Sequence, residues 1–265
     1  MTRTGVIRIV CGIGVALLGL AAVVAADDLA PVRAELERSL PQQALERLLP
    51  SPPLVFRGAP PRGPAIYRER VNGVVLVAST TSVGTGVLIS EQGDIITNEH
   101  IVRRAHEARG SEWIAVWFKP PPGVPLGKRD FLVARVHRKN PRHDLAHVRL
   151  AQPTPPKAAV IPLASLVPAV GQEVFTIGHP KSYLWSFAQG IVSQIRPNYE
   201  WRYEDGVLRS ATAIQTQAPI DSGSSGGPLL DEQGAMVGIV IGSATETAGV
   251  HFAVAVQHVR ELLPR

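Results

Sequence analysis

Cysteine is all but missing from this chain, with Cys11 the single example in 265 residues. A lone cysteine cannot close an internal disulfide, so stability has to come from a buried core even in an oxidising compartment. Aromatic residues are scarce, at 5%, and the net positive charge is spread along the sequence without a basic block. That distribution excludes the usual signature of nucleic-acid binding. What is abundant is apolar content, 45% of the chain, with 24 glycines and 23 prolines. Val, Ile, Gly and Pro in short runs favour many brief strands with sharp turns. A chain of this length can bury one large core or two small ones. The expected body is all-β.

Arg3 and Arg8 precede an apolar stretch from Ile9 to Ala26, which ends in Val24-Ala25-Ala26 and meets Asp27 and Asp28. This predicts a secretory signal over residues 1–26, cleaved near Ala26. The alternative is an uncleaved anchor through residues 9–26, because 18 apolar residues just suffice to span a bilayer. Both routes predict export: to the periplasm or beyond, or to the inner membrane facing the periplasm. Loss of the segment removes Cys11 and lowers the formal charge from +5 to +3.

Residues 27–64 read as a helical extension and linker. Leu29, Val32, Leu36 and Leu40 fall at helical spacing, Pro41 interrupts, and Leu45, Leu48 and Leu49 continue, which predicts two short amphipathic helices. Docking on the following domain is favoured over a subunit contact. Six prolines between Pro50 and Pro64 mark a stiff linker. From Ala65 to the end the pattern is one of short strands, beginning at Val74–Ser79, with a terminal helix over Gln257–Leu263. The Pro-rich stretch Pro153–Pro168 divides the strands into two groups of about six, which predicts two small barrels joined by a crossing segment.

The most informative segment is Asp221-Ser222-Gly223-Ser224-Ser225-Gly226-Gly227-Pro228-Leu229. Three glycines around one serine let the backbone turn tightly and aim successive N–H groups into one space, as an oxyanion hole requires. A serine needs a base. Of eight histidines, His100 follows a hairpin with a Gly93-Asp94 turn, which predicts delivery at the end of a buried strand. Asp144 stands just before the apolar run Leu145–Leu150 and is the carboxylate expected to hold the imidazole. Asp130 is a rival, but beside Lys128 and Arg129 it is expected to cap its own turn.

Together these segments resemble the trypsin-like serine proteases, and in detail the HtrA/Deg branch. Gly84-Thr85-Gly86-Val87 and Thr97-Asn98-Glu99-His100-Ile101 match that family's hairpin and histidine segment, with Thr85 where serine is usual. Asp144-Leu145-Ala146 matches its aspartate strand, and Gly223 to Leu229 its serine loop. Ile177-Gly178-His179-Pro180 and Gly190-Ile191-Val192-Ser193 are lesser matches. The resemblance implies a double β-barrel with His100, Asp144 and Ser225 as the triad and the N–H groups of Gly223 and Ser225 as the oxyanion hole. It implies a polypeptide substrate added as a strand along Ile241, Gly242 and Ser243, with a pocket near Pro219, Ile220 and Ile241. No carboxylate lies at that pocket's base, so small or medium apolar side chains are expected before the scissile bond. Ser224 stands where trypsin has Asp, which argues against zymogen activation of the trypsin kind. The chain stops about 40 residues after Ser225, leaving no room for the PDZ domain that many relatives carry. Relatives often form trimers through N-terminal segments, so Asp27–Pro50 is the place to expect a homo-oligomer contact.

Three other readings compete. Gly223-Ser224-Ser225-Gly226-Gly227 also fits the elbow of α/β-hydrolases, with Asp231 and His251 as partners on paper, but that fold needs a helix directly after the serine. His143 and His147 have the spacing of a zinc site on a helix, yet the segment reads as a strand and has no third ligand; no metal or cofactor is expected. A protease-like binding or chaperone protein with little activity is the last alternative.

Overall fold

Runs of β-branched residues become thirteen strands in a computed structural model that describes residues 26–41, 62–108, 110–241 and 249–264. The first barrel runs β1 (Val74–Ala78), β2 (Val83–Leu88), β3 (Asp94–Thr97), β7 (Leu145–Leu150), β6 (Leu132–Asn140) and β5 (Ser111–Trp117), and closes where β1 pairs antiparallel with β5. A short strand that the sequence did not announce, β4 (His106–Ala108), adds to β5. The second barrel closes in the order β10 (Arg209–Thr216), β13 (His251–Ala255), β12 (Met236–Val240), β11 (Pro228–Leu230), β8 (Glu173–Gly178) and β9 (Ser186–Trp201). The expected pair of six-stranded barrels is therefore present.

Alternation along β1 shows how the core is shared. Val75 and Val77 point into the first barrel with Leu88, Ile95, Ile114 and Val148, while Val74, Leu76 and Ala78 join the larger cluster that also holds Ile177 and Leu230 of the second barrel. Both faces are buried, so the strand reads as an unbroken apolar run. The connecting segment stitches the barrels together: Ile161 N–H donates to Leu88 O, and Met236 exchanges backbone bonds with Pro162 and Ala164.

Helix α1 (Ala26–Ser39) buries Leu29, Val32 and Leu36, with Leu40 just beyond, in the cluster containing Trp113, Trp117 and Phe131. Arg33 donates to Phe131 O at 2.6 Å and lies 4.2 Å above its ring. The extension thus docks on the first barrel. The second expected helix, at Leu45–Leu49, and the apolar segment from Ile9 lie outside the described residues, apart from Ala26. Among the described residues no helix is long and apolar enough to cross a membrane.

The linker reading needs correcting at its C-terminal end. Residues Arg62–Arg70 form helix α2, which a single 3₁₀ turn, Val71–Gly73, joins to β1. Pro64 falls in the first turn, where a missing N–H costs nothing, so the prolines that signal irregular chain are compatible with a helix start. Helix α4 (Val256–Leu262) ends the fold close to its expected place.

Candidate active site

His100 is mounted differently from the expectation. Strand β3 ends at Thr97, Asn98 is extended, and His100 lies in the first turn of the short helix α3 (Glu99–Val102). Asn98 Nδ2 reaches across to Asp144 O at 2.9 Å, so the turn that presents the histidine is pinned to the residue that holds it.

Asp144 occupies the left-handed region, φ 53°, a conformation that Asp tolerates better than most side chains. It is fully buried. Oδ1 accepts the His100 backbone N–H at 2.9 Å and Oδ2 lies 2.7 Å from His100 Nδ1. A carboxylate can only accept here, so Nδ1 carries the proton and Nε2 is left with its lone pair, the arrangement a general base requires.

Two residues that the sequence reading missed complete the surroundings of Asp144. Tyr203 OH lies 2.9 Å from Asp144 Oδ2 and 2.8 Å from Ile241 O, and its ring packs 4.8 Å from that of His100. Burial, reinforced by the Asp144 charge, pushes the Tyr203 phenol far above its ordinary pKa, which keeps it a donor. Arg209 is buried beneath the Tyr203 ring at 4.5 Å, and its fork grips Asp205 at 3.0 and 2.7 Å. Asp205 is held well below the usual carboxylate range chiefly by Arg209, with Arg103 contributing. Both newcomers come from the β9–β10 connection and its flank.

The serine loop is fixed from outside. Ser222 O accepts from Lys181 N at 2.7 Å, Gly223 O from Thr85 Oγ1 at 2.7 Å, and Ser225 O from Thr85 N at 2.8 Å. Ser224 N–H is used by Asp221 O, and Gly227 N–H by Ser224 O. Among the described residues, the N–H groups of Gly223 and Ser225 donate to no protein acceptor. They are free for an oxyanion. Gly223 has φ 97°, and a Cβ there would come within 2.3 Å of His179 O, so only glycine fits.

Of the residues expected to bind substrate, Ile220 and Ile241 are buried and Pro219 is exposed. Gly242 and Ser243 lie outside the described residues. Ile241 N–H is already engaged with Phe252 O at 3.1 Å, whereas its carbonyl only lies near the Tyr203 hydroxyl, whose single proton goes to the charged Asp144 carboxylate.

The rival residues are occupied elsewhere. Asp130 accepts from Gly127 N–H within its own turn. Asp231 caps the turn before β12 through Gln233 and Ala235 N–H, and β11, a strand, follows the serine loop; the hydrolase elbow is not formed. His147 Nε2 binds Asp94 at 2.7 Å, while His143 Nδ1 meets Ser210 O at 2.7 Å. His143 does approach His258 and Glu261, but His258 uses Nε2 to accept Thr212 N–H and Nδ1 to bond Glu261, so it has no lone pair to give a metal.

Residues 84–239 match the family model described as a trypsin-like peptidase domain. A probable periplasmic serine endoprotease DegP-like of Pseudomonas fluorescens is 32% identical over 75% of this chain and 36% of its own length. Serine endoprotease DegS of Haemophilus influenzae is 30% identical over 69% of this chain and 49% of its own. Protease Do-like 1, chloroplastic, of Arabidopsis thaliana is 30% identical over 66% and 37% respectively. The chain thus spans about a third to a half of the length of these relatives. The inactive form of the Rv3671c protease of M. tuberculosis superposes with a TM-score of 0.60 at 21% identity, over 79% of this chain and 98% of that one, a likeness of fold.

Proposed function

Because this chain belongs to the trypsin-like peptidase family, in its HtrA/Deg branch, we propose that it is a serine endopeptidase acting through an acyl-enzyme. The observation that carries this reading is the joint geometry of two groups. Asp144 holds both the backbone and the ring of His100, and the serine loop leaves the N–H groups of Gly223 and Ser225 unused.

In the reaction, a substrate carbonyl enters beside Ser225, and His100 Nε2 takes the hydroxyl proton as Oγ attacks. The carbonyl oxygen becomes an anion, which the Gly223 and Ser225 N–H groups stabilise. Asp144 steadies the imidazolium without taking its proton. His100 then returns the proton to the leaving amine, and water repeats the sequence on the ester. Ile220 and Ile241 supply apolar walls for a small or medium side chain before the scissile bond. A substrate N–H would donate to Ile241 O, since the Tyr203 proton goes to Asp144.

The setting we propose is the cell envelope: export through residues 1–26, cleaved or kept as an inner-membrane anchor, and processing or quality control of proteins there. The periplasmic name of the Pseudomonas fluorescens relative supports it. A homo-oligomer, a trimer in particular, is proposed with residues 27–50 as its contact. Sedimentation of the chain begun at Asp27 beside one begun at Arg62 checks this, and equal subunit numbers would remove that role.

Fluorophosphonate labelling of the parent and of Ser225→Ala tests the enzyme reading. Labelling that depends on Ser225 is expected, followed by cleavage of a peptide library after apolar residues. A folded parent that neither labels nor cleaves would leave the binding or chaperone reading in its place.

A further inference from the structure

The turn that follows β8 is wound against the preference of its residues. Lys181, Ser182 and Trp185 have φ of 47°, 70° and 50°. Non-glycine residues in that region persist only where surrounding contacts over-determine the backbone. Here those contacts are with the serine loop: Lys181 N–H binds Ser222 O at 2.7 Å, and His179 O lies where a Cβ on Gly223 would be. His179 itself is buried and takes no part in the chemistry described above.

Thr85 Oγ1 lies 2.7 Å from Gly223 O and 2.9 Å from His179 Nδ1. A hydroxyl has one proton, and a carbonyl can only accept. The Thr85 proton therefore goes to Gly223 O, and His179 Nδ1–H must be the donor to Thr85. His179 Nε2 then carries the lone pair, buried and without a partner. Burial lowers the pKa of this ring to about 3, which suits a position where an added proton would find no acceptor. Trp185 meets the ring edge-on at 5.1 Å; its Nε1–H donates to Val74 O at 2.8 Å, and Tyr67 OH donates to its carbonyl at 3.0 Å. The imidazole is thus braced from β1 and α2.

We propose that His179 and Thr85 form a fixed relay, His179 Nδ1–H to Thr85 Oγ–H to the Gly223 carbonyl, that holds the Gly223–Ser224 peptide, the plane lying between the two peptides that carry the oxyanion-hole N–H groups. Both are positioning residues, and the idea rests on the peptidase reading above for its catalytic consequence. The carbonyl and N–H of a trans peptide point in opposite directions. Tying Ser222 O to Lys181 therefore turns the Gly223 N–H to the other side, and tying Gly223 O to Thr85 fixes the next plane. Thr85 holds the loop twice, since its own N–H binds Ser225 O.

The test compares Thr85→Val, His179→Asn and His179→Gln on a peptide substrate. Asn places a donor where Nδ1 stands, whereas Gln places one where Nε2 stands. Thr85→Val is expected to lower kcat about thirtyfold, less than the roughly 10²–10³ lost when an oxyanion-hole donor is removed outright, with KM changed by no more than about twofold. His179→Asn should stay within about threefold of the parent, and His179→Gln should fall with Thr85→Val. The double variant Thr85→Val/His179→Gln should be no worse than the worse single one, as expected of residues acting as a unit. Equal losses for Asn and Gln, or a loss confined to KM, would overturn the relay. If Thr85→Val does not fold, the Asn and Gln pair decides. If the parent shows no Ser225-dependent turnover, only the peptidase reading fails. Imidazole nitrogen NMR of the parent then judges the relay, which a proton on Nε2 of His179 would sink.

Discussion

Arg209 Nε stands 3.9 Å from Asp144 Oδ1, and both side chains are wholly buried. The two are too far apart for a hydrogen bond, so the attraction is one of charge. Arg209 spends its hydrogen bonds on Asp205 and the Val207 carbonyl, and burial alone would disfavour its charge; Asp205 and Asp144 more than offset that. A guanidinium is thereby kept beside the carboxylate that orients the base. Arg103 ties Asp205 to Glu99, in the helix that bears His100, so acid and base are linked on the far side of the site as well.

Arg209→Met should therefore destabilise the fold by about 3–5 kcal/mol, the usual cost of leaving buried charges without their partner. Arg209→Lys should recover little of it, since an ammonium cannot match the two-pronged grip on Asp205. Urea midpoints at constant m-value check both. A midpoint for Arg209→Met within error of the parent would show that the pair is energetically idle.

The proposed triad could be singled out because each member sits in a short, local pattern: His100 after a hairpin, Asp144 before an apolar strand, Ser225 among glycines. Tyr203 and Arg209 had no such signal. They reach Asp144 from 59 and 65 residues away in sequence by closure of the second barrel, which no local spacing encodes. Barrel strands were legible for the same local reason, down to the apolar run of β1. Helix α2 was not, because prolines that open a helix and prolines that forbid one look alike until the packing of Ile66 and Tyr67 is known.

Gly223→Ala offers a sharp test of the serine loop. The new methyl would meet His179 O at 2.3 Å on a backbone with φ of 97°, so the loop must move and carry an N–H of the oxyanion hole with it. A fall in kcat of about 10²–10³ is expected, with a stability loss of about 1–3 kcal/mol. Parent-like turnover would place the oxyanion elsewhere.

Asp94 makes stability depend on acid. Burial pushes its pKa up, but Arg149, Ser90 and His147 more than offset that and hold it at about 2, against about 4 in an unfolded chain. A lowered folded value stabilises above the unfolded pKa, and that gain is lost as pH falls from about 4 through 2. It is worth on the order of 2 kcal/mol. Asp94→Asn should be less stable at pH 7 and should flatten the decline between pH 5 and 2, as read from denaturation midpoints. An unchanged slope would remove Asp94 as its source.

Leu36 measures how firmly α1 is docked. It is fully buried among residues of the first barrel, so Leu36→Ala should cost about 2–4 kcal/mol through lost contacts and the cavity left behind. Chemical denaturation reads this directly. A cost under about 0.5 kcal/mol would mean the extension leaves the barrel in solution, freeing its apolar face for another subunit.

Tyr203→Phe separates the hydroxyl from the ring. Removing the oxygen leaves Asp144 Oδ2 with His100 Nδ1 as its remaining partner nearby, while the ring can keep its packing against His100. Hydrogen bonds to a charged group contribute roughly 1.5–3 kcal/mol. Only the part that steadies the aspartate as His100 becomes charged reaches the rate. We therefore expect kcat to fall about tenfold. KM should not rise, because the Ile241 carbonyl stays available to a substrate N–H. Steady-state kinetics on one peptide distinguishes the roles: a higher KM with unchanged kcat would make Tyr203 a wall of the substrate cleft with no hold on the aspartate.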